Sequence, residues 1–150
     1  MLTFKSLLSI TTKENERKGL LANKVEDMLN TVVRQIAFFE FEKRIHHQRK
    51  IKELSVDEIC EIWIDVQKTS LGPSIKFNDD YKYFWSYIPH FIHSPFYVYA
   101  YAFGDCLVNS LFNVYENKLP KFEDKYITLL ESGGSAVSYT HLTLPTIVSV

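Results

Sequence analysis

Within the segment Ser86-Tyr-Ile-Pro-His-Phe-Ile-His-Ser-Pro-Phe-Tyr-Val-Tyr-Ala-Tyr-Ala-Phe-Gly104, the imidazole of His90 is followed closely by the phenols of Tyr97, Tyr99 and Tyr101. Both groups donate hydrogen bonds, and donors of this kind stabilise an oxyanion that develops in a transition state. Pro89 and Pro95 bound the loop that carries His90, and the tyrosines open what reads as a helix. The competing reading is structural: aromatic side chains of this density also build cores.

Other chemistry-bearing residues are placed less favourably. His90 and His93 would share a metal only on one regular helix, and Pro89 and Pro95 make the segment irregular. His46 and His47 are neighbours on a helix, so they point apart and cannot chelate one ion together. Asp79 and Asp80 read as a solvated loop pair rather than an acid/base pair. Cys60 and Cys106 lack metal-type spacing and fall among apolar helical residues, which predicts two buried thiols. Without a disulfide framework the chain fits a reducing compartment, and a cytoplasmic location is expected.

The elements that must hold these residues are helical. From about Glu14 to Lys50 the apolar residues Leu21, Val25, Met28, Leu29, Val32, Ile36 and Phe39 recur at spacings of three and four, which predicts one long amphipathic helix with a break near His46. The basic run Arg44 to Lys52 falls near its C-terminal end, where positive charge suits the helix dipole. A nucleic-acid patch is the alternative, and neighbouring acids argue against it.

Ser55-Val-Asp-Glu58 is a capping box and opens a second helix, with Val56, Ile59, Ile62, Trp63 and Val66 on one face. Leu71-Gly-Pro73 ends it. Residues 74 to 93 read as a long irregular connection, of the kind that often carries function. Ser94-Pro95 is expected to open a helix as cap and first helical residue. Its stripe Cys106, Leu107, Ser110, Leu111 and Val114 runs to about Asn117. Pro120 is expected to start a last helix that turns Phe122, Tyr126, Leu129 and Leu130 inward and ends at Gly133-Gly134. The fold class is all-α, with neither an internal repeat nor an interdomain linker.

Composition agrees. A chain of 150 residues with 46% hydrophobic residues can bury a real core in one domain. A net charge of −1 offers no general attraction for nucleic acid or an anionic membrane. The N-terminus lacks the charge and apolar run of a signal peptide. No apolar run reaches the roughly 18 to 20 residues of a membrane span. After Glu131 there is no Asp, Glu, Lys or Arg, and the Thr/Val-rich segment to Val150 reads as extended.

Ile88-Pro-His-Phe91 followed by Pro95-Phe-Tyr-Val-Tyr-Ala-Tyr101 resembles the C-terminal catalytic region of the oligoendopeptidase F family, zinc metallopeptidases related to thimet oligopeptidase. The resemblance continues in Asn30-Thr-Val-Val-Arg-Gln-Ile-Ala-Phe-Phe-Glu-Phe-Glu42, Leu54-Ser-Val-Asp-Glu-Ile59 and Phe84-Trp85, in the family's order. It spans residues 1 to 134, and Met1-Leu-Thr-Phe4 looks like family sequence just beyond the third zinc ligand. It implies a partial peptidase catalytic domain, the C-terminal part, over 1–134. The family continues with more charged helical sequence where 135–150 does not, so that tail is expected to be non-native.

The resemblance also implies a metalloendopeptidase that hydrolyses short peptides in a channel between helical halves. Its zinc is held by a His-Glu-x-x-His helix and a further Glu, and this motif is absent here. Zinc therefore belongs to the intact enzyme, no ligands are expected in this chain, and the chain alone is expected to be inactive. Relatives use a downstream His and tyrosines for the oxyanion and the peptide. His90 matches that His. Tyr97 and Tyr101, at i and i+4, share a face and are favoured as donors, whereas Tyr99 points nearly opposite and is assigned to substrate contact. Thimet-type relatives space their tyrosines differently, which leaves the main donor open. The implied partners are short peptide substrates and the missing N-terminal part of the same catalytic domain, with no nucleic acid and no membrane. The alternative is a non-catalytic helical module that binds peptides or other proteins.

Overall fold

Apolar periodicity at three and four residues builds most of the structure, a computed structural model that describes residues 2–133. The expected non-native tail, 135–150, lies outside the described residues. In chain order the helices are α1 (Leu2–Ile10), α2 (Glu14–Met28), α3 (Arg34–Arg49), α4 (Val56–Leu71), α5 (His90–His93), α6 (Tyr99–Glu116) and α7 (Phe122–Ser132). A π-helical turn, Leu29–Val33, joins α2 to α3, and a 3-10 helix, Asp79–Tyr87, follows α4. No strand occurs among the described residues, as an all-α class requires. No described helix is long and apolar enough to cross a membrane.

Two compact units divide the chain, Met1–Val108 and Asn109–Val150. The first holds the core. Trp63 of α4 is fully buried among Ala37, Phe38, Phe41, Val66, Ile88 and Val98. Its ring meets Phe38 at 5.5 Å and Phe41 at 5.2 Å, and its indole N–H donates to the Tyr81 carbonyl at 3.0 Å. The indole thus satisfies its polar edge while α3, α4 and the 3-10 helix close around it.

The capping box forms as expected. The Glu58 N–H donates to Ser55 Oγ at 3.3 Å, and the Ser55 N–H donates to Glu58 Oε2 at 2.8 Å. Gly72, at φ 77°, ends α4 in a conformation that a Cβ would strain. Cys60 is buried on α4 as expected, and Val56 is exposed in the first turn.

Several expectations are corrected. The interruption of the long N-terminal helix is the π turn at Leu29–Val33, and α3 runs unbroken through His46. Leu21, Val25, Met28, Leu29 and Ile36 are periodic yet exposed, so that stripe meets no described partner over α2. Residues 74–93 are not irregular throughout. Asn78 caps the 3-10 helix by accepting the Tyr81 N–H at 3.1 Å. Phe84 stacks on Tyr81 and packs on Tyr87. Residues three apart eclipse in a 3-10 helix, so this aromatic spacing favours that geometry. Asp79 and Asp80 sit in its first turn, where acids suit the dipole.

In the second unit α7 starts at Phe122 rather than Pro120, because Lys121 adopts φ 60° and breaks the turn. It ends at Gly133. Tyr126 and Leu130 are exposed; Phe122 and Leu129 are half-buried. On α6, Leu111 and Val114 are buried as expected, but Cys106 is exposed, one position and about 100° round the helix from half-buried Leu107.

Candidate functional site

Pro89 sets the first turn of α5: its carbonyl accepts the His93 N–H at 2.9 Å, while the His90 carbonyl accepts the Ser94 N–H at 3.0 Å. Ile88 is buried on one side of His90. On the other side the Phe91 ring lies 5.1 Å from Phe41 and 5.6 Å from Phe38. Two apolar anchors therefore hold a half-buried imidazole between them at the protein surface.

The tyrosines arrive by a different route from the one Ser94-Pro95 predicts. α6 begins at Tyr99, not at Ser94, and residues 94–98 form a turn in which the Tyr97 N–H donates to the Ser94 carbonyl at 3.1 Å. Phe96 lies in the left-handed region at φ 63°. A non-glycine residue there costs about 1–2 kcal/mol and needs surrounding contacts to hold it. Those contacts come from α3. Glu42 Oε1 accepts the Phe96 N–H at 2.8 Å, and the Phe96 ring packs on Phe39 at 5.9 Å and His46 at 4.8 Å. Tertiary contact thus overrides the local helix-start signal.

Beyond this turn Val98 is buried and fixes the direction of its neighbours. The Tyr97 ring stacks on the His90 ring at 5.8 Å and 9°. Tyr101 Oη is 3.2 Å from His90 Nε2. The Tyr97 and Tyr101 rings meet edge to face at 5.7 Å. Tyr99 leaves this group and packs against Phe39 at 6.2 Å. The structure therefore brings His90, Tyr97 and Tyr101 together and sets Tyr99 apart. Both phenols of the cluster are partly open to solvent, so their hydroxyls can reach a bound molecule.

If Nε2 carries the imidazole proton, His90 donates to the Tyr101 oxygen and leaves the phenolic proton free to donate outward. A hydroxyl that accepts one hydrogen bond is a stronger donor of the next. His93 is exposed and takes no part in the cluster. The basic run near the end of α3 is partly neutralised: Arg44 pairs with Glu40 at 3.1 Å and Asp65 at 2.6 Å.

Glu42 went unassigned in the sequence, although it is the only buried carboxylate among the described residues. Burial pushes its carboxyl above the usual range, partly opposed by the Phe96 N–H and by His46 and His90. One sequence signal pointed to it: Glu42 follows Phe38 by four residues, on the helix face that Ala37, Phe38 and Phe41 commit to the core.

The chain is a member of peptidase family M3, whose profile matches residues 1–143. It is similar to an oligoendopeptidase F homolog of Borreliella burgdorferi, 38% identical over 131 residues, covering 86% of this chain and 22% of that protein. It is also similar to the oligopeptidase PepF of Bacillus subtilis, 31% identical over 130 residues, covering 86% of this chain and 19% of that protein. Among solved structures it shares the fold of oligoendopeptidase-F from Enterococcus faecium, with a TM-score of 0.83 and 23% identity over 93% of this chain and 27% of that one. The resemblance read from the sequence is borne out. The chain spans about a fifth of the length of the curated relatives it matches.

The family resemblance implies zinc. No group of three or more His, Cys, Asp and Glu among the described residues is placed to hold a metal ion, so the described residues do not fit it.

Proposed function

We propose that this chain supplies oxyanion and substrate contacts to a zinc metalloendopeptidase that hydrolyses short peptides, with metal ligands and general base contributed from outside these 150 residues. The observation that carries the reading is the His90 Nε2–Tyr101 Oη contact at 3.2 Å with the Tyr97 ring stacked alongside. His90 orients Tyr101, Tyr101 and Tyr97 offer phenolic protons to the oxygen that gains charge, and Tyr99 contacts the peptide. Donors fixed before the reaction need no reorganisation when charge develops, which is why such groups act mainly on the transition state.

Residues 1–134 are proposed as the C-terminal part of the catalytic domain and 135–150 as a segment foreign to it. The exposed apolar residues of α1 and α2, among them Leu2, Ile10, Leu21 and Val25, support the remainder of the same domain as the protein partner. A cytoplasmic location is supported by two cysteines with no disulfide framework.

The reading is tested in a longer enzyme that contains this region, with a peptide analogue carrying a tetrahedral anionic phosphinate at the scissile position. Tyr101→Phe is expected to weaken the phosphinate and leave the KM of the matching peptide near its original value. Equal weakening of both, or of neither, would show that Tyr101 does not recognise the oxyanion.

A further inference from the structure

The turn that delivers Tyr97 to His90 is held from another helix. Glu42 lies on α3, 54 positions before Phe96, and its Oε1 accepts the Phe96 N–H at 2.8 Å. Phe96 is the one residue of the 94–98 turn at positive φ. Its ring is gripped by Phe39 and His46, both from the same helix as Glu42. The next residue, Tyr97, stacks on His90.

A carboxylate at this depth is costly, since an apolar side chain would fill the same space without losing hydration. Glu42 is 2% exposed, and its Oε2 has no hydrogen-bond partner among the described residues. Among the described residues its hydrogen bonding therefore goes to Phe96 alone. Among the described residues no ion pair to a Lys or Arg accounts for its burial, and the two imidazoles that influence it, His46 and His90, flank the same turn.

We propose that Glu42 is a positioning residue of the His90–Tyr97–Tyr101 cluster, which locks the left-handed turn at Phe96 and so fixes Tyr97 against His90. The catalytic consequence rests on the oxyanion reading above; the geometric role does not. A neutral carbonyl oxygen can accept the same N–H, so Gln is expected to replace Glu42 in this task. Side chains without an acceptor cannot.

The test uses NMR on the full 150-residue chain with Glu42→Gln, Glu42→Ala and Glu42→Leu. Leu fills the space that Ala vacates and keeps the fold if Ala does not. Three signals are followed: protection of the Phe96 amide from exchange, cross-relaxation between the His90 and Tyr97 rings, and the Trp63 indole N–H as a report on the core. Gln is expected to retain all three, and Leu to lose the first two while retaining the third. A folded Leu variant that keeps the His90–Tyr97 contact would overturn the proposal. Loss of the Trp63 signal together with the other two in Leu would also overturn it, because Glu42 would then serve the core as a whole.

A second arm places Glu42→Leu in a longer enzyme containing this region. Misplacement of a contact group by about 1 Å costs on the order of 100-fold in turnover, and a loss of that size with KM and zinc content preserved is expected. If the NMR arm succeeds and turnover is unchanged, Glu42 still positions the turn and the oxyanion reading fails. If turnover falls while the turn keeps its geometry, the positioning role fails.

Discussion

Tyr97, Tyr99 and Tyr101 are chemically alike and separated only by where their rings go. Tyr97 and Tyr101 meet His90, whereas Tyr99 faces Phe39. In a longer enzyme containing this region, Tyr101→Phe removes one hydroxyl and keeps the ring. Loss of one oxyanion donor costs about 100- to 1000-fold in turnover, roughly 3–4 kcal/mol, and this is expected for Tyr101→Phe, with Tyr97→Phe in the same direction. Tyr99→Phe is expected to change KM and spare kcat. Steady-state kinetics with one peptide separates the patterns, and full turnover in Tyr97→Phe, Tyr101→Phe and folded His90→Ala together would reduce the cluster to packing. The pairing of Tyr97 with Tyr101 was legible from their spacing, even though Tyr97 precedes the helix. The part played by Glu42 was not, because a partner 54 residues away leaves no local pattern.

At the level of elements, α4 was the most legible because its signals are local and agree: capping box, apolar face and terminal glycine. Ser55→Ala is expected to cost about 1 kcal/mol of stability, measurable by denaturant unfolding. Glu58 adds a pH dependence. The Lys52 ammonium foremost, and then the Ser55 N–H and hydroxyl, hold its carboxyl down at about 2. Its folded value lies below the roughly 4.3 of an unfolded glutamate, so its stabilisation is complete above that value and is lost as pH falls towards 2. The difference in Tm between the wild type and Glu58→Gln is therefore expected to shrink across that window, and a constant difference down to pH 2 would refute the linkage. Less of the neighbouring structure was legible. The 3-10 helix needed the Tyr81–Phe84–Tyr87 spacing to be read as a stack rather than as loop composition. The start of α6 at Tyr99 depended on Phe96 being caught by α3, and no local capping rule contains that contact.

At the scale of the whole chain, the all-α class followed from periodicity, but burial did not. The stripe of α2 has the spacing of a core face, and its residues Leu21, Val25 and Met28 remain exposed. Periodicity reports that a face is to be covered, and cannot say by what. Removal of residues after Ser135 is expected to leave helical circular dichroism and Tm unchanged, since charge and helical pattern lapse after Glu131; a large fall in either would tie the tail to the fold. The remaining prediction concerns activity. A peptide bond needs an activated nucleophile as well as stabilisation of its oxyanion, and the role proposed for His90, Tyr97 and Tyr101 addresses only the second need. The sequence contains no His-Glu-x-x-His, and the described residues hold no cluster fit for a metal ion. Donors alone would lower the barrier for an attack that no cluster among the described residues is built to initiate. The purified 150-residue chain is therefore expected to carry less than stoichiometric zinc by elemental analysis and to leave short peptides uncut. One zinc per chain together with chelator-sensitive cleavage would refute this, and would require a metal site built outside the family's motif.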